Sequence, residues 1–319
     1  MPKLNVQQNN QNVIQAFKNA LAIGNLKGII ASDGSHNFST AGSNRNLLDN
    51  PWFTVNQRGF TSNTNSNNVP AVDRWKINNG SGTQSITNDG FKIDLSETTS
   101  YCSFQQAFGN DELAGKTITI SVCSNGTIYS TTATVPARTT ATQTAISYTY
   151  TSGQLVRLFV MPASSAYSYL LQFSMTGVVA TIRAVKLELG SVSTLANDAP
   201  PDYWQELDHC KWYFERIKAQ TTYSSFGNGF GETTTSGQMQ VPMHPKRTAT
   251  YTVSTSGSFT LYNGAQSRPV SALSKATSGL GQNVLCLAAT ATSLVQGSMY
   301  ALLANNDASA YIDISADLQ

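Results

Sequence analysis

Between Leu47 and Gly190 the chain runs in short apolar stretches separated by turn residues, and several alternate apolar and polar positions with a period of two. Lys116-Thr-Ile-Thr-Ile-Ser-Val122 and Val185-Lys-Leu-Glu-Leu189 are the clearest cases. Alternation gives one wet face and one buried face, so these segments predict half-buried β-strands. Further runs, FTVNQRG, RWKINNG, GFKIDLS, AISYTYTSG, VRLFVMP and YLLQFSM, are rich in β-branched and aromatic residues and are divided by NNG, NDG and TSG turns. Eight or so strands over roughly 145 residues predict an antiparallel β-sandwich of jelly-roll type.

A helical period appears at two places. Val13, Ile14, Phe17 and Leu21 share one face within residues 1–31, with Asn10 or Asn12 as cap and Gly24 at the end. A lone helix of about a dozen residues is marginal in water. Its apolar face is therefore expected to dock on another copy of the chain or on another protein. The second helical stretch follows Pro200-Pro201, which cannot sit in a strand ladder. Asp202 is placed to cap it, and Trp204, Leu207, Lys211 and Phe214 would form a stripe. From Tyr223 onward the strand pattern returns in GQMQVPM, TATYTVST, GSFTLYNG, NVLCLAAT and SAYIDISADL. The reading is a mainly β chain in three parts: an N-terminal helix and linker (1–45), a jelly-roll domain (46–195), and a short linking helix with a C-terminal β-sandwich-like domain (203–319).

Composition narrows the function. Of 319 residues, 40% are hydrophobic, enough for two cores, but only 12% are charged. That is about half the usual share, so the surface must be built from Ser, Thr, Asn, Gln and Gly. The net charge is +2 without a Lys/Arg cluster, and the electrostatic footprint of a nucleic-acid partner is missing. No apolar run of 18 residues predicts membrane insertion. Cys102, Cys123, Cys210 and Cys286 are widely separated, which predicts free, buried thiols. His36, His209 and His244 show no metal-ligand spacing, and no cofactor is expected.

The segments NLLDNPWFTVNQRG (46–59), DRW (73–75), LAGKTITISV (113–122), VKLELGSVST (185–194) and ELDHCKWYFER (206–216), in this order, resemble tail-fibre and fibre-like appendage proteins of bacteriophages and prophages. The resemblance covers about residues 46–319. It implies a carbohydrate-binding-module-like jelly roll, then a short helix and a terminal β domain. It also implies a virion protein made in the bacterial cytoplasm, a trimeric homo-oligomer held to other virion proteins through its N-terminus, and a host-surface glycan as ligand. The chain departs from that family in placing Trp212 before Tyr213-Phe214 and in the Pro-His element of PMHPKR.

Candidate site residues each have a structural and a chemical reading. Residues 41–70 contain eight Asn, which suit turns as well as sugar hydroxyls. Trp52 and Trp75 suit a sandwich core as well as a sugar platform. The LYNGAQSRP turn offers Tyr262, Asn263 and Arg268 as carbohydrate contacts, while Val13, Ile14, Phe17 and Leu21 are the oligomerisation or attachment face. Glycoside cleavage would need two carboxylates across one bond. Asp94 with Glu97, Asp111 with Glu112, and Glu206 with Asp208 are more simply read as strand-end, turn or helix-start acids, so no catalytic residue is assigned. The expectation is a non-enzymatic receptor-binding fibre whose contacts to a neutral glycan come from hydroxyl, amide and aromatic groups. The alternatives are a structural head, neck or collar fibre or decoration protein, and a capsular depolymerase.

Overall fold

A computed structural model describes residues 30–32, 38–40, 44–96, 101–109, 113–140, 142–276 and 283–318. Val13, Ile14, Phe17 and Leu21, and with them the expected N-terminal helix, lie outside the described residues, as do His36, Glu97, Asp111 and Glu112. Strands β1 (Ile30–Ser32) and β2 (Phe38–Thr40) pair as a hairpin. Twelve further strands follow: β3 (Ser62–Thr64), β4 (Val69–Pro70), β5 (Lys76–Gly80), β6 (Thr83–Thr87), β7 (Gly90–Asp94), β8 (Tyr101–Phe108), β9 (Thr117–Ser124), β10 (Thr127–Thr134), β11 (Thr144–Thr151), β12 (Gln154–Val160), β13 (Tyr169–Thr176) and β14 (Val179–Leu189). They make two six-stranded antiparallel sheets, β10-β9-β14-β7-β6-β3 and β11-β12-β13-β8-β5-β4.

The two sheets share one core. The inward side chains of β7, β8 and β13 bring Phe91, Phe104 and Phe173 together with Phe53 and with Trp75, which immediately precedes β5. Phe104 stacks on Phe173 at a centroid distance of 4.8 Å and meets Phe91 at 4.9 Å. The alternating runs seen in the sequence are the long strands β9, β12 and β14. FTVNQRG is not a strand. Asn50 and Phe53 take left-handed backbone there, with φ of 48° and 58°, and the Asn50 side chain ties the segment into a turn. The sequence pattern also passes over β8, which carries buried Ser103 on its outward face and buried Gln106 on its inward face, and β10, which is too polar to stand out.

The Ser/Asn/Pro stretch after Gly190 is laid against the sandwich. Ser193 Oγ is 2.7 Å from Ser121 Oγ, and Thr194 N donates to Glu188 Oε1 at 2.8 Å. Buried Lys186 reaches Asp198 at 2.8 Å, and Leu195 is buried. A 3₁₀ turn (Leu195–Asn197) leads to α1 (Tyr203–Lys211). Asp202 caps α1 as the sequence predicts, accepting from Trp204 N at 3.0 Å and Gln205 N at 3.1 Å. Asp202→Ala is expected to cost about 1 kcal/mol, measurable as a lowered urea midpoint. The expected aromatic stripe is corrected. Glu206 and Cys210 face inward, Trp204 is exposed, and Phe214 belongs to the next strand.

The nine strands that follow are β15 (Phe214–Lys218), β16 (Ser225–Gly231), β17 (Ser236–Pro242), β18 (Thr252–Ser256), β19 (Phe259–Tyr262), β20 (Ser267–Lys275), β21 (Val284–Ala291), β22 (Met299–Ala304) and β23 (Tyr311–Ser315). The sandwich-like arrangement predicted for this region is not what forms. Six strands close into a barrel, β16-β17-β21-β20-β19-β22, because β22 pairs with both β16 and β19 and leaves no free edge. The small sheet β15-β23-β18 adds Ile312 and Ile314 to the barrel's core. β16 reads as a loop in the sequence because it carries three glycines. Two of them permit close strand approach: a Cβ on Gly227 or Gly229 would lie 2.0 or 1.8 Å from a β17 carbonyl oxygen.

Candidate functional site

All five segments that carry the family resemblance supply side chains to the sandwich, its connecting segment or the junction with the barrel. Asn50 sits at the centre. Its side-chain amide donates to Val55 O and Asp73 O, both at 2.8 Å, its backbone carbonyl accepts from Trp75 Nε1 at 2.9 Å, and its backbone N–H donates to Glu206. Trp75 is thus a core anchor, while Trp52 stays part-exposed with Arg183 over its ring. Gln57 Nε2 donates to Asp73 at 3.0 Å and to Phe214 O at 2.8 Å, joining the sandwich to β15. Arg58 pairs with Asp317 and lies 3.5 Å over the Phe214 ring. Arg216 makes two 2.7 Å bonds to Asp313 and donates to Arg58 O at 2.9 Å.

Arg74 crosses this junction. It donates to Asp49 at 2.9 Å and to Ala107 O at 2.7 Å, stands 3.9 Å from Asp317, and stacks 3.4 Å over Tyr213. Burial works against its charge, but Asp49, Tyr213 and Asp317 outweigh it and hold the guanidinium above its ordinary pKa. Burial pushes Asp73 up to about 6, although Arg58 and the Gln57 hydrogen bonds oppose the shift. Glu206 is raised as well, chiefly by burial. These charged groups are engaged with one another and with backbone, and the constellation ties the sandwich to the barrel.

The outer face of the second sheet has a different character. Strand register sets Ser147 opposite Arg157, Arg157 opposite Gln172, Gln172 opposite Gln105 and Gln105 opposite Lys76. This polar row crosses five strands, roughly 19 Å at ~4.8 Å per strand. Gln172 Nε2 donates to Gln105 Oε1 at 3.0 Å, and Arg157 has a long 3.5 Å contact with Ser174 Oγ. Exposed Tyr101 and Thr149, with Ser174, border a groove beside Arg157 and Gln172. Ser103, opposite Ser174, has a buried hydroxyl with no hydrogen-bond partner among the described residues. Amides, hydroxyls, a guanidinium and a tyrosine ring on one sheet face are the groups that hydrogen-bond and stack on sugars. Sequence reasoning missed this row because each member looks like an ordinary outward position of an alternating strand.

The residues singled out in the sequence are dispersed. Tyr262, Asn263 and Arg268 lie together on the β19–β20 hairpin, where their polar groups serve the turn. Tyr262 Oη donates to Gly264 O at 2.7 Å, Asn263 Oδ1 accepts from Ala265 N and Gln266 N, and Arg268 bonds Gln266. Asp94 is a part-exposed strand-end acid that accepts from Ser96. Glu206 is buried against Asn50, whereas exposed Asp208 faces His244 Nε2 at 3.1 Å. Cys102, Cys210 and Cys286 are buried, Cys123 is half-buried, none of the four forms a disulfide, and burial pushes the Cys102 thiol up to about 12. Among the described residues, no three His, Cys, Asp or Glu side chains cluster as metal ligands, and no helix is long and apolar enough to cross a membrane. No protein-family model matches the chain, and no curated protein matches it.

Proposed function

We propose that this chain is a non-enzymatic fibre protein of a bacteriophage virion that binds glycans on the host cell surface, with the outer face of a carbohydrate-binding-module-like jelly roll as the contact surface. The observation that carries this reading is the polar row Ser147, Arg157, Gln172, Gln105 and Lys76, bordered by Tyr101. In this reading residues 1–45, with Val13, Ile14, Phe17 and Leu21, join three copies and attach them to other virion proteins. Sites that are individually weak then gain avidity of roughly 10²–10⁴ from several copies. A structural head, neck or collar fibre is the second reading. The interlocked junction around Arg58, Arg74 and Arg216 supports it, because it suits a stiff spacer.

The test is competition of phage adsorption by the purified protein. Gln105→Ala/Gln172→Ala is expected to weaken cell binding about tenfold, from roughly 0.5–1.5 kcal/mol for each lost hydrogen bond, with an unchanged melting temperature. Wild-type protein that leaves adsorption untouched, and a fibre located at the head or collar in a particle reconstruction, would favour the structural role.

A further inference from the structure

The scarcity of charge in the sequence suggests a neutral ligand, but folding distributes the charge unevenly. The six strands β4, β5, β8, β11, β12 and β13 contain no Asp or Glu, and their only charged residues are Arg157 and Lys76. Both fall in the one register row that crosses the outer face. The facing sheet is unlike this: Lys92 meets Asp94 at 3.5 Å, and Lys186 lies near Glu188 and Asp198. Neither Arg157 nor Lys76 has a carboxylate partner within ion-pair distance among the described residues. Most other arginines and lysines with low exposure have one, as Arg58, Arg74, Arg216 and Lys246 show. A half-buried guanidinium set between Ser147 and Gln172 is poorly placed to be neutralised from within the chain, and its planar fork matches a carboxylate or phosphate.

We infer that the glycan taken by this face is acidic, with a sugar-borne anion at Arg157 and the chain running along Gln172 and Gln105 toward Lys76. This inference rests on the glycan-binding reading proposed above. Gln172 and Gln105, bonded to each other, present the remaining amide groups to sugar hydroxyls. Arg157 is the primary anion contact. Lys76 is secondary, since it also borders a cavity lined by Arg74 and Asp317. The groove beside Arg157 opens to solvent, so the ion pair stays exposed to mobile ions and is screened by salt over about 8 Å at physiological ionic strength.

The full chain is titrated by calorimetry and on a glycan array with three probe groups: uronic-acid polymers, phosphate-bearing glycans and uncharged glycans. Acidic probes are expected to bind, with affinity falling about tenfold between 0.05 and 0.5 M NaCl. Arg157→Gln, which keeps hydrogen-bond donors but removes the charge, should lose most of the affinity and the salt dependence together. Lys76→Gln should lose a smaller part, and neither variant should shift the melting temperature. The first two probe groups separate a carboxylate ligand from a phosphate one. Equal binding of uncharged and acidic glycans, or full salt dependence in Arg157→Gln, would overturn the acidic assignment while leaving glycan binding intact. Binding to none of the three groups would overturn both.

Discussion

Replacing Arg74 with alanine is expected to lower stability by about 3–5 kcal/mol, the usual cost of breaking a buried ion pair from one side. The loss is not of attraction alone. Asp49 would lose its 2.9 Å donor, Ala107 O its 2.7 Å donor, and Tyr213 the guanidinium that covers its ring. Arg74 also holds a left-handed backbone with φ of 70°. That conformation is uncommon for a residue other than glycine, and the side chain's contacts offset it. Calorimetry of the wild-type chain should show one transition, because the junction couples the sandwich to the barrel. Arg74→Ala should lower the first transition by the order of 10 °C and split the endotherm in two. Arg74→Lys keeps the charge but not the fork, and should fall between them. A single unshifted transition in Arg74→Ala would show that the junction does not bind the domains together.

The second large effect is on pH dependence. Asp73 has a folded-state pKa of about 6 against an ordinary 3.8, with burial as the leading cause. The native state therefore binds this proton more tightly than the unfolded chain does, and above pH 6 the charged carboxylate is a net cost. As pH falls from about 6 to about 4 the native state takes up the proton, and stability should rise by up to about 3 kcal/mol. Glu206, also raised by burial, adds in the same direction. Asp94 and Asp307 are lowered by hydrogen bonds, first from Ser96 and Ser309 respectively. Their contribution is present above the unfolded value and is lost only below it, outside this window. Urea unfolding at pH 7.5 and 4.5 measures the difference. Asp73→Asn cannot titrate and should lose most of the gain, although its absolute stability also changes because Gln57 loses an acceptor. Wild-type stability that falls over this range, or a gain retained in full by Asp73→Asn, would contradict the assignment.

The two interfaces were legible to different degrees. Within the motifs NPWFTVNQRG, DRW and ELDHCKWYFER, polar residues beside aromatics suggested turns and core anchors, and Trp75 is such an anchor. That Arg58, Arg74 and Arg216 meet Asp317, Asp49 and Asp313 could not be read from them. The partners of Arg58 and Arg216 lie 259 and 97 positions away along the chain. The outer face was less legible still. Ser147, Arg157, Gln172, Gln105 and Lys76 come from five strands, and a one-residue slip in any pairing would send its member to the core.

Local regularities could be read along the chain. Period-two alternation fixed the long strands β9, β12 and β14, Asp202 fixed the start of α1, and Pro200-Pro201 fixed the break before it, because each depends on neighbours within a few residues. The tertiary structure alone decided that β22 would close the C-terminal strands into a barrel, that the stretch after Gly190 would be bound to the sandwich, and that two of the few cations would share an acid-free row. Those outcomes depend on strand partners and on water excluded between distant segments, and no local pattern encodes which distant segment will supply the missing partner.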